Sequence, residues 1–351
     1  DNGFAYEVNG SVYFDVAKYV EKHPYGKLSG KKIDELMEGQ RELDGQDEKK
    51  NPFDFGLWKK ASPEHIMQWK SPWGMGFPGW HLECSVMSTK YLGQRFDIHG
   101  GGMDLKFPHH EDEIAQSVGG DGVEPVKYWM HGNMLTCEGQ KMSKSLGNVF
   151  LPEELFSGDH KMLDKGFSPM TVRFFVMQTH YRSTLDFSNS ALHAAEKGLK
   201  RLMNTYAVLE KLPEPGKDNV DEKMSEEILS LCEQCKAHMD DDFSTPQTIA
   251  RLFDLSPKIN TINDKKVNIS AEAFSKLQET FKVYIEDVLG LKKENEGNEE
   301  VLDGLMQLVI DVRKTAREQK DWTTSDKIRD QLAALNIKVK DGKEGTSWEI
   351  G

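Results

Sequence analysis

The stretch Arg95 to Gly120, "RFDIHGGGMDLKFPHHEDEIAQSVGG", constrains the fold most. A short apolar run, Phe96 to His99, leads into three consecutive glycines. A helical run then follows and is expected to close at Gly119. Strand, glycine turn, helix is the unit of an α/β layer with a functional loop at the strand's end. The surroundings agree, because Trp58 to Asn148 is rich in glycine, tryptophan and short apolar runs. Upstream, "YEVNGSVYF" alternates apolar and polar positions around Asn9-Gly10, a hairpin signal. "MEGQRELDGQDEKKNP" reads as a surface connector.

Past about Thr171 the periodicity becomes helical. "SNSALHAAEKGLKRLMNTYAVLEKL" starts at a Ser/Asn cap and stops near Pro213. "DEKMSEEILSLCEQCKAHMDD" carries Met224, Ile228, Leu231, Cys232, Cys235 and Met239 on one stripe. A last helix from Val301 to about Gln319 leads into a helix, a strand, a glycine turn and a strand. At 351 residues and 37% apolar content the chain has room for two or three domains. No run of about 18 apolar residues and no charged-then-apolar leader occurs in these residues, so neither a membrane span nor secretion is expected. Four cysteines are too few for a disulfide scaffold and favour a reducing, cytoplasmic setting. The net charge of −13 speaks against indiscriminate nucleic-acid binding but leaves room for a local basic face. The first residue is Asp1, which suggests a processed or truncated chain.

"FPHHEDEIAQ" packs two histidines and three carboxylates into five positions. His109 and Glu113, four apart, share a helix face and can converge on one ion, with Cys84 of "GWHLECSVM" as third ligand. A Cys/His/Glu set suits Zn2+. A capped, solvated helix start with acids on the dipole explains the same residues, and the decapeptide alone leaves both readings open. In either case His110, Glu111 and Asp112 are expected to face outward. The metal-like "CEQCKAH" lies on an apolar stripe, so Cys232 and Cys235 are read as core. Cys137 is read as a loop thiol.

"GQKMSKSLGN", Gly139 to Asn148, is the most specific string. It lacks the Walker frame. Lys141 and Lys144, with Ser143 and Ser145 between glycines, suit a loop that clamps polyphosphate, its ammonium groups acting as point charges on a leaving pyrophosphate.

Taken together, "KMSKSLGN", "GWHLECS", "DIHGGGMDLKFPHHEDEIAQS", "HYRSTLDFS", "DDFSTPQTIARLFDL" and the closing "KDWTTSDKIRDQL…GTSWEI" resemble the cysteinyl-tRNA synthetase family of class I aminoacyl-tRNA synthetases nearly end to end. The resemblance implies a Rossmann-like α/β catalytic domain, its C-terminal portion, in 1–150. It further implies a stem-contact segment in 151–188, an all-α anticodon-binding bundle in 189–290 and a small α+β anticodon-recognition piece in 301–351. It implies ATP-dependent ligation of L-cysteine to tRNA(Cys) through a cysteinyl-adenylate, with Mg2+ accompanying ATP, by a cytoplasmic monomer. One Zn2+ on Cys84, His109 and Glu113 would bind the substrate thiolate, beside Trp80 as an aromatic wall. His99, Gly100, Gly101, Gly102 and Asp104 would lie near the adenylate, and Lys141 and Lys144 would stabilise its formation. Serine and cysteine are near-isosteres that an apolar pocket separates only by roughly 10–200-fold, whereas a zinc–thiolate bond has no hydroxyl equivalent at neutral pH.

The family's His-x-Gly-His string and its early cysteine ligand are absent from these 351 residues. The expectations are therefore a missing N-terminal segment, a fourth zinc ligand supplied by it, an exposed apolar sheet edge, and an inactive chain in isolation. Lys197, Lys200 and Arg201, then Arg313, Lys314, Arg317 and Lys320, then Lys338, Lys340, Lys343 and Trp348 are candidate tRNA contacts. His180, Tyr181 and Arg182 sit at the join between the catalytic and helical parts. Two alternatives remain: a ligase joining cysteine to an amino-sugar in mycothiol synthesis, and a non-catalytic zinc- and tRNA-binding module.

Overall fold

The computed structural model describes residues 1–32, 48–216, 218–294, 296–335, 337–342 and 345–350. Most of the expected connector and Lys343 lie outside them, as does the side chain of Lys340. Strands β1 (Ala5–Val8) and β2 (Ser11–Phe14) form the expected hairpin, with Asn9 and Gly10 at φ of 54° and 85°, as a type I′ turn requires. Helix α1 (Val16–Val20) is capped by Asp15, whose carboxylate accepts from Lys18 N–H. Strands β3 (Phe55–Lys60), β4 (Trp69–Ser71) and β5 (Gly74–Pro78) complete an antiparallel sheet ordered β1-β2-β3-β5-β4.

A β-α-β unit follows: α2 (Trp80–Leu92), β6 (Phe96–Gly102), a 3-10 turn (Met103–Lys106), α3 (His109–Asp121) and β7 (Val126–Gly132), with β6 and β7 parallel. Two expectations change here. The glycines are strand, since Gly100, Gly101 and Gly102 pair with Met130, His131 and Gly132. Helix α3 also runs past Gly119 to a left-handed cap at Gly122, φ 74°. Gly119 instead gives close approach, because a Cβ there would meet the Phe14 ring at 3.1 Å. That ring belongs to a small core of Phe4, Phe14, Val16, Tyr19, Phe55 and Ala115 that seats the first sheet on α3.

Among the described residues β6 and β7 pair only with each other. The cross-strand neighbours Ile98 and Tyr128 are 53% and 68% exposed, and α2 buries none of its residues. Parallel strands are ordinarily covered on both faces, so this apolar surface is unusual.

Strands β8 (Leu135–Cys137) and β9 (Gln140–Lys141) precede α4 (Pro152–Ser157), α5 (Pro169–Met177) and β10 (Leu185–Phe187), and β10 runs parallel to β8. Cys137 is therefore a buried strand residue and not a loop thiol. The bundle consists of α6 (Asn189–Lys211), α7 (Glu222–Asp240), α8 (Thr245–Asn263) and α9 (Ala271–Lys282), which continues as a π-turn over Val283–Val288. The side chains of Ser188, Asp221 and Ser270 accept N–H groups in the first turns of α6, α7 and α9. The main hydrophobic core lies in this bundle and includes Cys232 and Cys235. Helices α10 (Glu296–Glu318) and α11 (Trp322–Ala334) and the hairpin β11 (Ile337–Gly342) and β12 (Gly345–Ile350) close the chain. No helix among the described residues is long and apolar enough to cross a membrane.

Candidate active site and metal centre

The first turns of α2 and α3 meet beside the C-terminal ends of β6 and β7, the end at which parallel α/β sheets hold ligands. Helix α2 brings Trp80, His81 and Cys84; helix α3 brings His109 through Glu113. The His109 ring lies 4.3 Å from the Trp80 indole and 4.7 Å from the His81 ring, centroid to centroid. Trp80 itself is 63% exposed and forms an open wall.

The acidic run is not solvated. His110, Glu111 and Asp112 are all buried, against the expectation that they face outward. Glu111 accepts the backbone N–H groups of Leu28 and Ser29 at 3.0 and 2.9 Å. Asp112 accepts the Tyr25 hydroxyl at 2.6 Å and faces His81 Nε2 at 3.2 Å. His110 Nδ1 meets His131 Nε2 at 2.9 Å, with its ring against Trp129. These partners offset much of the cost of burial, although Glu111 Oε1 is left without a hydrogen bond among the described residues.

Glu113 is buried, and among the described residues its carboxylate faces His99 Nδ1, 3.5 Å away. Burial pushes its carboxyl up to about 7. Burial and the neighbouring Glu113 both raise the Cys84 thiol. Loss of hydration lowers His81 to about 4, and it also lowers His109 and His99. The result is neutral imidazoles around acids that lack a counter-cation, a donor set that fits a soft divalent ion. Among the described residues, the three donors whose ligand atoms lie within 4.8 Å of one another are His99, His110 and Glu113. Glu113 is thus common to this group and to the set read from sequence, whereas Cys84 and His109 are not part of it.

The glycines of β6 have internal reasons. A Cβ at Gly101 would strike His110 Cε1 at 2.7 Å, and one at Gly102 would strike Asp104 Oδ1 at 2.3 Å. Gly100 is open apart from Met130 O, and Asp104 is exposed. The lysine loop leaves β9 and is stapled by buried Asn148, whose Oδ1 accepts from Ser143 N at 2.8 Å and whose Nδ2 donates to Lys141 O at 3.2 Å. Lys141 and Lys144 are exposed, and neither ammonium has a partner among the described residues.

On the bundle, Lys197, Lys200 and Arg201 line one groove with Asn204, Val208 and Asn260. Arg313 is buried; Lys314, Arg317, Lys320 and Lys338 are exposed, and Trp348 is half-buried. Sequence reasoning missed Tyr25, His81, Asp112, His131 and Asn148. His81, inside "GWHLEC", and the buried-acid run were the available signals.

Residues 1–197 match the family described as tRNA synthetases class I (C) catalytic domain, residues 235–293 the DALR domain, and residues 306–348 the cysteinyl-tRNA ligase anticodon binding domain. The chain is 54% identical to the cysteine–tRNA ligase of Phocaeicola vulgatus and 53% identical to that of Bacteroides fragilis. The matches take in 99% and 100% of this chain and 71% of each relative. It is 44% identical to the enzyme of Chlorobaculum tepidum over 99% of this chain and 69% of that protein. The fold is that of a class I aminoacyl-tRNA synthetase: an α/β catalytic part followed by a helical bundle and a small anticodon-binding piece. Within that class, the chain belongs to the cysteine–tRNA ligase family.

Proposed function

We propose that this protein joins L-cysteine to tRNA(Cys) through a cysteinyl-adenylate made from ATP, acting in the cytoplasm as a monomer, with Mg2+ entering as the companion of ATP. The amino-sugar ligase reading is not favoured, since the chain carries DALR and anticodon-binding matches. The observation that carries the proposal is the 54% identity to a cysteine–tRNA ligase over 99% of this chain, with the catalytic, DALR and anticodon-binding matches following in order along it.

Cys84, His109 and Glu113 would hold zinc. When bound, zinc supplies a Lewis acid that takes a thiolate and leaves a serine hydroxyl unbound. With Asp112 ionised, His81 would donate Nε2–H to it and accept His109 Nδ1–H at its own Nδ1, which would leave the His109 Nε2 lone pair free for the metal. Trp80 would wall the substrate side chain. His99, the backbone of Gly100, Gly101 and Gly102, and the Asp104 carboxylate would face the adenylate and its ribose. Lys141 and Lys144, free of internal partners, would place positive charge where pyrophosphate departs. The groove of Lys197, Lys200 and Arg201 would follow a tRNA backbone.

The 351 residues contain no His-x-Gly-His string, and by themselves they are not expected to form adenylate. The test is cysteine-dependent ATP–pyrophosphate exchange and tRNA charging by the full-length protein, with serine as control and the 351-residue polypeptide in parallel. Exchange with cysteine alone, by the full-length protein alone, supports the reading. Equal exchange with serine refutes the thiol selection, and robust exchange by the polypeptide refutes its predicted inactivity.

A further inference from the structure

The turn between α7 and α8 holds two consecutive left-handed residues that are not glycine, Asp242 at φ 58° and Phe243 at φ 56°. Such backbone persists where surrounding contacts over-determine it. Burial does not hold it here, because Phe243 is 50% exposed and the Asp242 side chain 37% exposed. Polar contacts do. The Asp242 carboxylate accepts the Tyr181 hydroxyl at 2.6 Å and pairs with Arg182 through Nε at 2.5 Å and Nη2 at 3.1 Å. Its carbonyl accepts His180 Nε2 at 3.0 Å. Three successive side chains thus close on one residue of the bundle.

The same three-residue segment is gripped from the other side. Asn133 donates its backbone N–H to Tyr181 O and its side-chain amide to Arg182 O, both at 2.8 Å. Asn133 lies between β7 and β8, and β8 pairs Thr136 with Lys141 at the root of the lysine loop. A second tie, Thr245 Oγ1 to Met177 O at 2.8 Å, fixes the same turn to α5.

We propose that Asp242 is a positioning residue that fastens the helical bundle to the strand carrying the lysine loop, and so sets bound tRNA in register with the adenylate. The inference rests on the proposed ligase reading, in which the loop serves adenylation and the bundle binds tRNA.

The test uses the full-length protein with Asp242→Asn and Asp242→Gly; glycine keeps the left-handed backbone while removing the carboxylate. Exchange without tRNA should stay within about twofold of the unsubstituted protein, while kcat/KM for tRNA charging should fall about tenfold, the usual scale of coupling between sites. Arg182→Gln added to Asp242→Asn should cost little more than either alone. Charging unchanged in both variants overturns the proposal. So does an equal fall in exchange and charging, which a merely structural role would give. Absence of exchange in the unsubstituted protein instead refutes the ligase reading beneath it.

Discussion

His81 and Asp112 face each other across the contact of α2 with α3, Nε2 to Oδ2 at 3.2 Å, and the far nitrogen of the same imidazole lies 3.3 Å from His109 Nδ1. A carboxylate, an imidazole and a proposed metal-binding imidazole therefore stand in line. Burial raises the Asp112 carboxyl, and the Tyr25 hydroxyl opposes that rise. A metal on His109 would favour ionised Asp112, because only then does His81 leave His109 Nε2 unprotonated. Asp112→Asn removes that charge without changing shape. Zinc affinity is expected to fall roughly 10–100-fold, as for other groups that orient a metal ligand, measured by equilibrium dialysis against a competing chelator.

The two candidate donor sets share Glu113 and differ in their histidines. His110 already meets His131 at 2.9 Å, whereas His109 lies against Trp80 and His81. His109→Gln is expected to abolish stoichiometric zinc and His110→Gln to retain it, read by metal analysis of the purified variants. The reverse result would assign the ion to His99, His110 and Glu113.

In the lysine loop, charge and scaffold are separable. Lys144→Ala removes a point charge from an exposed site and is expected to lower the exchange rate on the order of 10²–10³-fold with little change in melting temperature. Asn148→Ala breaks two hydrogen bonds that hold the loop in shape, at about 1–3 kcal/mol for the buried groups left unpaired. Its exchange rate should fall with its stability. A kinetic titration alongside thermal melting distinguishes the two.

Cys235 is fully buried in the core of the helical bundle, and burial pushes its thiol up to about 12. Cys235→Ser is expected to destabilise the protein by about 1–3 kcal/mol, the cost of a buried hydroxyl without a full set of partners, and to leave zinc content unchanged. Denaturant melts and metal analysis on one sample check both.

The helical half was legible because its signals are local. Ser188 caps the helix that was read to start at a Ser/Asn cap, and the stripe of Ile228, Cys232 and Cys235 enters the core as its spacing implied. Asn9-Gly10 made its hairpin for the same reason, since the turn's φ values are a property of two residues.

The surroundings of those strings could not be read, because they are set by chain brought in from far away. Asp112 finds Tyr25 at a separation of 87 positions, and Glu111 finds Leu28 N–H at 83. With those partners in place, the side of α3 read as solvated is buried, and the glycines of β6 join a strand because His131 and Gly132 lie alongside. Helical periodicity states which side chains share a face of a helix. Only packing decides how many of its faces are covered, and for α3 the tertiary structure covered them with hydrogen-bonding groups that allow carboxylates to be buried.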